Sequence, residues 1–362
     1  MQKRKHSEVS ACRQRGFGVI SIIRISATTL GTLFILAGCS RTSYDLAPEQ
    51  ESPISFDAGS AFLRNDANNT KATLPAGTHF GVFAFLHPGT IGSAGAWNNN
   101  VSTPNFMFNQ DVYYNGSTYT YAPVKYWPDT GNTISFWAYL PYSSNPGFLA
   151  KNGSSYNNTS IGAPDIPFSV TDGSIDLICS DFLTNKTKAN NPISFTFRHR
   201  LCKIYTNICK QDPSSGYTVK LKAIRFDGIY NTAAFRSSNN SWVNLSNKSS
   251  FTVYADDPND NTDNIELTTS DYSFDAVMLI PQTFAADGAK LHVEYSIWYS
   301  GILHERTNAF EVDLATVFSG ASSKWEKNKQ YTLNLTVEPN DPIEFTVSWS
   351  DWGDDFHYHI TS

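Results

Sequence analysis

Ile193-Ser194-Phe195-Thr196-Phe197-Arg198-His199-Arg200-Leu201-Cys202-Lys203-Ile204-Tyr205-Thr206-Asn207-Ile208 is the stretch from which the fold can be read. Its first half sets Ile193, Phe195, Phe197 and Leu201 on odd positions with polar residues between them, the period of two of a strand with one apolar face. Further on, Ile204 and Ile208 stand on even positions. A straight strand cannot hold both sets on one face, so the chain must bulge, bend or switch face between about His199 and Cys202. Such a break suits a strand that passes between the sheets of a sandwich. A second change of parity falls at Ala223-Ile224.

Working outward, the same alternation marks strands at 80–86, 118–121, 134–140, 217–223, 277–280, 291–297, 331–337 and 343–349. In the last of these Ile343, Phe345, Val347 and Trp349 alternate with Glu344, Thr346 and Ser348. Clusters of Asn, Ser, Gly and Pro at 97–105, 143–161, 237–250 and 256–264 read as surface turns and loops. Only 310–318 has the pattern of a short helix. Aromatic residues make up 14% and charged residues 17% of the 362, with 22 Gly and 17 Pro, which excludes a helical bundle or coiled coil. A hydrophobic fraction of 40% excludes a disordered chain, and a net charge of −6 argues against a binder of nucleic-acid backbones. Strands without helical crossovers imply antiparallel sheets, and the length exceeds one sandwich of ~100 residues. Two tandem β-sandwiches are expected, 61–190 and 191–362, with the boundary in the polar stretch 184–191.

The first 38 residues differ from the rest. Lys3, Arg4, Lys5, Arg13, Arg15 and Arg24 oppose Glu8, and a short apolar run closes with Leu36-Ala37-Gly38-Cys39. A basic segment, an apolar core shorter than the ~20 residues of a bilayer span and small residues at the end make a secretory signal peptide. The closing tetrapeptide is similar to the bacterial lipobox, which predicts cleavage before Cys39 and acylation of its thiol and new amine. An ordinary signal peptide with a Cys near its end is the alternative. Of 27 basic and 33 acidic side chains the signal takes six and one, leaving 21 against 32, a net charge of −11. Residues 39–60 then read as a polar tether leading into a short first strand, Ile54-Ser55-Phe56.

Candidates for chemistry are few. His357 and His359 share a strand face without a third ligand, and a solvated tail is the plainer reading. Asp257, Asn259, Asn261 and Asp263 alternate like the start of a calcium loop, but Pro258 intrudes and the Gly and distal Glu are missing. His199 in an apolar strand reads as a hydrogen-bonded core residue. Asp351, Asp354 and Asp355 beside Trp349 and Trp352 resemble a glycosidase pair next to a sugar platform, yet acids so close in sequence suit a solvated turn. Cys179, Cys202 and Cys209 cannot all pair within one chain and read as free thiols. The sequence thus predicts no catalytic residue, metal or cofactor.

Several segments together resemble the fimbrillin-like lipoproteins of Bacteroides and Porphyromonas relatives. They are the lipobox at Cys39, the segment Tyr119 to Pro128 with Tyr119-Thr120-Tyr121 and Lys125-Tyr126-Trp127-Pro128, and Ile134 to Tyr142. Beyond these come Phe195 to Leu201, Ile280-Pro281-Gln282, and Trp325 through Tyr331. The resemblance implies two transthyretin-like β-sandwich domains in a non-enzymatic subunit of surface fimbriae that mediate adhesion. It also implies outer-membrane delivery through the lipid, removal of the first strand by an arginine-specific protease, and polymerisation by donor-strand exchange with other subunits. Arg64 is the matching cleavage position, and Thr70-Lys71-Ala72 stands where the family has Thr-Arg-Ala, so Lys71 is the second candidate. By position the donor strand is Ile343, Phe345, Val347 and Trp349. The alternative function is a surface glycan-binding lipoprotein that does not polymerise.

Overall fold

A computed structural model describes residues 51–57, 62–64, 71–72, 74–89, 96–211, 216–257, 265–285, 288–299, 302–338 and 342–352. The first ten strands are β1 (Phe62–Arg64), β2 (Lys71–Ala72), β3 (Thr78–Pro88), β4 (Met107–Tyr114), β5 (Tyr119–Thr120), β6 (Asn132–Leu140), β7 (Asp165–Ser169), β8 (Ile178–Ser180), β9 (Leu183–Lys186) and β10 (Thr196–His199). They are followed by β11 (Cys202–Lys210), β12 (Tyr217–Arg236), β13 (Ser241–Ala255), β14 (Ile265–Leu267), β15 (Tyr272–Ser273), β16 (Val277–Leu279), β17 (Lys290–Tyr299) and β18 (Ile302–Asp313). One turn of helix, α1 (Leu314–Val317), precedes β19 (Lys329–Val337) and β20 (Glu344–Asp351). The expected helix shrinks to this turn, because 310–313 continue β18 against β17.

The strands form three sheets. The first runs β2-β1-β10-β8-β6-β3-β4-β5, with β9 also on β6; the second runs β15-β11-β19-β20, with β16 on β11; the third runs β13-β12-β17-β18, with β14 and β7 on β12. Most pairings are antiparallel, as expected, but β1 runs parallel to β10 and β11 parallel to β19. Ile204, Ile208, Leu333 and Leu335 of the second sheet meet Val219, Leu221, Leu291 and Val293 of the third in one buried cluster. This is a β-sandwich in which each strand sends alternate residues inward.

Parity explains where the chain changes sheet. β10 pairs with β8 in the first sheet, while β11, three residues later, pairs with β16 and β19 in the second. The chain therefore crosses at Arg200-Leu201, later than the polar stretch 184–191, and the strand expected to open the second sandwich belongs to the first sheet. The second parity change is a bulge, since the β12–β17 register slips between Leu221 and Ala223. Segment 237–250, read as a loop, is largely strand β13. Its register against β12 slips between Thr232 and Ala234, and Asn244 and Asn247 sit at φ of 56° and 55°. Each bulge shifts the alternation by one residue, so the apolar positions lose their period and the Asn-rich sequence mimics a turn.

The first sheet is buried on both faces at its centre. Phe80, Val82, Ala84, Phe136 and Ala138 point to one cluster, and Phe83, Phe85, Trp137 and Tyr139 to another. This accounts for the unbroken apolar runs in β3 and β6, which a one-sided strand does not need. The second face meets Leu201 at the crossing point and Phe235, Met278, Ile280 and Trp352 from beyond it. β7 strengthens the junction: it follows β6 in sequence but pairs with β12 over five rungs from Asp165↔Arg236 to Ser169↔Thr232. Arg236 also grips Asp165 through Nε at 3.0 Å and an Nη at 2.9 Å.

Gly81 pairs with Tyr139 across β3 and β6, and a Cβ there would lie 2.2 Å from the Tyr139 ring. A Gly81→Ala protein should lose about 2 kcal/mol of stability through overpacking, read as a lower urea midpoint with an unchanged slope.

All three described cysteines are free, Cys179 and Cys202 buried and Cys209 half-buried. Burial pushes the Cys179 thiol up to about 12 and that of Cys202 higher still. In protein beginning at residue 51, a thiol reagent at about pH 8 should modify Cys209 first and the other two only after unfolding. Mass spectrometry of the labelled peptides reads the order.

Candidate assembly site

The described chain begins with a segment held on both sides. Ile54 N donates to Lys125 O (2.8 Å) and Trp127 N to Ser52 O (2.9 Å), which ties one edge to the Tyr126 region. On the other edge Ile193 N donates to Ser55 O (2.8 Å) and Asp57 N to Ile193 O (3.1 Å). The segment is antiparallel to its first neighbour and parallel to its second. It therefore closes the seam between the β4–β5 end of the first sheet and the chain leading into β10.

Two side chains complete the clamp. Asn191 acts like a piece of backbone: its Oδ1 accepts from Ser55 N at 2.9 Å and its Nδ2 donates to Pro53 O at 3.2 Å. Tyr121 donates its hydroxyl to Ile54 O at 2.8 Å, and burial raises its phenol pKa. These roles are not evident in the sequence, although Tyr121 stands inside the Tyr-x-Tyr segment and Asn191 precedes a proline. The inward side chains are Ile54 and Phe56, only 2% and 8% exposed. Phe56 packs its ring against Phe80, Tyr121 and Phe195 at centroid distances of 6.2, 5.5 and 5.8 Å. Removing this segment would uncover an apolar slot with backbone donors and acceptors along both walls, a template for an extended strand.

The candidate maturation residues lie just beyond. β1 continues alongside β10, and Arg64 is the register partner of Lys71 across the β1–β2 pair. The two candidates thus flank one short connection, residues 65–70, which lies outside the described region. Cys39 does too, as do Asp354, Asp355, His357, His359 and the centre of the expected acidic loop, 258–264.

The candidate donor strand is β20, on the edge of the second sheet with β19 as its one neighbour there. It keeps full antiparallel register from Lys329↔Asp351 to Thr336↔Glu344. Ile343 is buried at 3% exposure, Phe345 and Val347 pack only partly against the core, and Trp349 is 48% exposed. The inward row thus becomes less buried along the strand. Just past it Trp352 is buried, its indole stacked on the His199 ring at 3.8 Å and 2°. The His199 Nδ1 is hydrogen-bonded to the Asp176 carboxylate, and the Lys203 ammonium stands 5.6 Å from the Trp352 ring. His199 is therefore a core residue, as its apolar strand predicts.

Asp351 is ion-paired with Lys329. Among the described residues, Asp227, His292 and Glu311 bring three ligand-type atoms within 4.8 Å of one another. Arg225 is already 3.4 Å from Asp227 and Lys290 is 3.3 Å from Glu311, so the trio belongs to a lattice of ion pairs on the third sheet. Among the described residues no helix is long and apolar enough to cross a membrane.

The described chain is a β-sandwich protein with an edge strand, β20, in its second sheet and a slot beside its first sheet that is filled by 52–57. The chain belongs to the fimbrillin-like family, whose model matches residues 67–352. A similar curated protein is fimbrium subunit Fim1C of Phocaeicola vulgatus strain ATCC 8482, 29% identical over 273 residues, or 70% of this chain and 68% of that protein. Among solved structures, a fimbrial protein from Bacteroides vulgatus ATCC 8482 superposes with a TM-score of 0.57 at 22% identity, covering 83% of this chain and 99% of that one. That likeness shares the fold.

Phe56→Ala should destabilise the protein by about 3 kcal/mol, because it empties an aromatic pocket. Urea unfolding of protein beginning at residue 51 measures the loss. A change below about 0.5 kcal/mol would mean that the seam contributes little to stability.

Proposed function

We propose that this protein is a structural or accessory subunit of cell-surface fimbriae that serve adhesion. It is exported as a lipoprotein acylated on Cys39, reaches the outer membrane, is trimmed after Arg64 or Lys71, and is assembled by donor-strand exchange with other subunits. The observation that carries this reading is the segment Ser52–Asp57, hydrogen-bonded along both edges and plugged in by Ile54 and Phe56. A segment held along both edges can be cut away after folding by cleavage on its C-terminal side, leaving a groove that matches another strand in both hydrogen bonding and pocket spacing. Each backbone bond is worth roughly 0.5–1.5 kcal/mol and each buried apolar side chain roughly 1.5–3 kcal/mol. An incoming strand that matches the lost one recovers that stabilisation, which drives polymerisation.

β20 supports the donor role by its place at a sheet edge near the C-terminus. Its partly exposed inward row has less burial to lose than an interior strand. Membership of the fimbrillin-like family and the similarity to a fimbrium subunit support the destination.

The decisive measurement is mass spectrometry of the N-terminus of protein sheared from cells. A start at residue 65 or 72 is expected, and Arg64→Ala with Lys71→Ala should abolish denaturation-resistant ladders, as should deletion of the residues after Asp341. A mature protein that still begins at acylated Cys39 rejects strand removal and leaves an anchored protein that does not exchange its first strand.

A further inference from the structure

Where the chain crosses from the first sheet to the second lies a cleft of about 600 Å³, within the size range of small-molecule sites. One wall is the crossing segment around Arg200; the others are the β12–β13 turn, the 281–283 step and the 325–329 segment. Its charges do not balance. Arg198 is paired with Asp181, Lys329 with Asp351, and Glu326 with Lys324. Arg200 and Lys327 remain: among the described residues neither has a carboxylate within ion-pair distance.

Arg200 is only 3% exposed. One Nη donates to Asn240 Oδ1 at 2.9 Å and the other to Cys179 O at 2.8 Å, while Nε has no partner. Burying a guanidinium without a counter-ion is expensive, even with neutral hydrogen bonds around it. Lys327 lies on the wall formed by the 325–329 segment. Desolvation and then the Arg200 charge lower its pKa, partly opposed by Glu326. Two cations that repel one another across a cavity form a site for an anion that relieves both.

Trp242, partly exposed at the rim, offers a ring face of the kind that stacks on sugars. We infer that this cleft binds an acidic sugar, with its carboxylate between Arg200 and Lys327 and its ring against Trp242 at the rim. The inference does not depend on polymerisation or on the fate of the N-terminal strand.

Isothermal titration of protein beginning at residue 51 tests it with two acidic probes, a hyaluronan tetrasaccharide and sialyllactose. Controls are the neutral N-acetylglucosamine tetramer, inorganic phosphate and a tetraglutamate peptide. At least one acidic sugar should bind with one-to-one stoichiometry and a Kd below about 1 mM. Lys327→Met, a change at a half-exposed position, should weaken it about tenfold or more without altering the unfolding midpoint. Arg200→Lys should weaken it further, provided its unfolding midpoint shows that it folds. No binding of either acidic sugar, or affinity unchanged in Lys327→Met, overturns the proposal. Equal binding of the neutral tetramer removes the role of charge. Equal binding of phosphate or tighter binding of tetraglutamate leaves a simple anion or acidic-peptide site and overturns the sugar assignment.

Discussion

The first half of the molecule depends on a hydrogen-bonded seam that its own sheet does not supply. Lys125–Trp127 and Asn191–Ile193 stand on opposite edges of one segment. Ser52–Asp57 joins them with backbone bonds on both edges, reinforced by the Asn191 amide and the Tyr121 hydroxyl. Buried backbone groups demand partners, so whatever lies in this seam must be an extended strand. The same constraint fixes the spacing of its side chains, because only alternate residues reach the pocket that Ile54 and Phe56 fill.

Much of this architecture is legible in the sequence where burial is one-sided. The alternation in 343–349 gives β20 almost residue for residue, and the parity change after Phe197 anticipates the passage between sheets. Ile54-Ser55-Phe56 is readable as a strand, but nothing local says that it lies between two neighbours 73 and 137 residues away. β13 is hidden for a different reason: its bulges reset the alternation, and the Asn residues that tolerate the left-handed conformation resemble turn residues. β3 and β6 are legible as strands, while their burial on both faces appears only once the second half packs against Phe83, Trp137 and Tyr139. The unneutralised Arg200 is also invisible in sequence, since a strand Arg reads as solvent-facing until the crossing turns it into the junction.

Polar groups at the junction sort into two kinds. His199, Asp176 and the Trp352 ring form a stacked, hydrogen-bonded unit that pins the end of β20 under the first sheet. Arg236 and Asp165 tie β7 to β12. Both contacts link residues far apart in sequence and make the joint specific as well as apolar. They also give the two ends of β20 different attachments, a deeply seated indole at one and the buried Ile343 at the other, with a shallower row between.

The course of β7 has a mechanical meaning. A tandem pair of domains joined by a linker would part at the linker under tension, with each domain left intact. Here β7 lies between β6 and β8 in the sequence but hydrogen-bonds to β12 in the third sheet. The two halves are stitched by a strand that each must give up before they can separate. Pulling them apart means stripping five backbone rungs along with the apolar joint. In a filament exposed to flow, such a subunit bears load as one stiff segment, and its compliance is moved to the contacts between subunits.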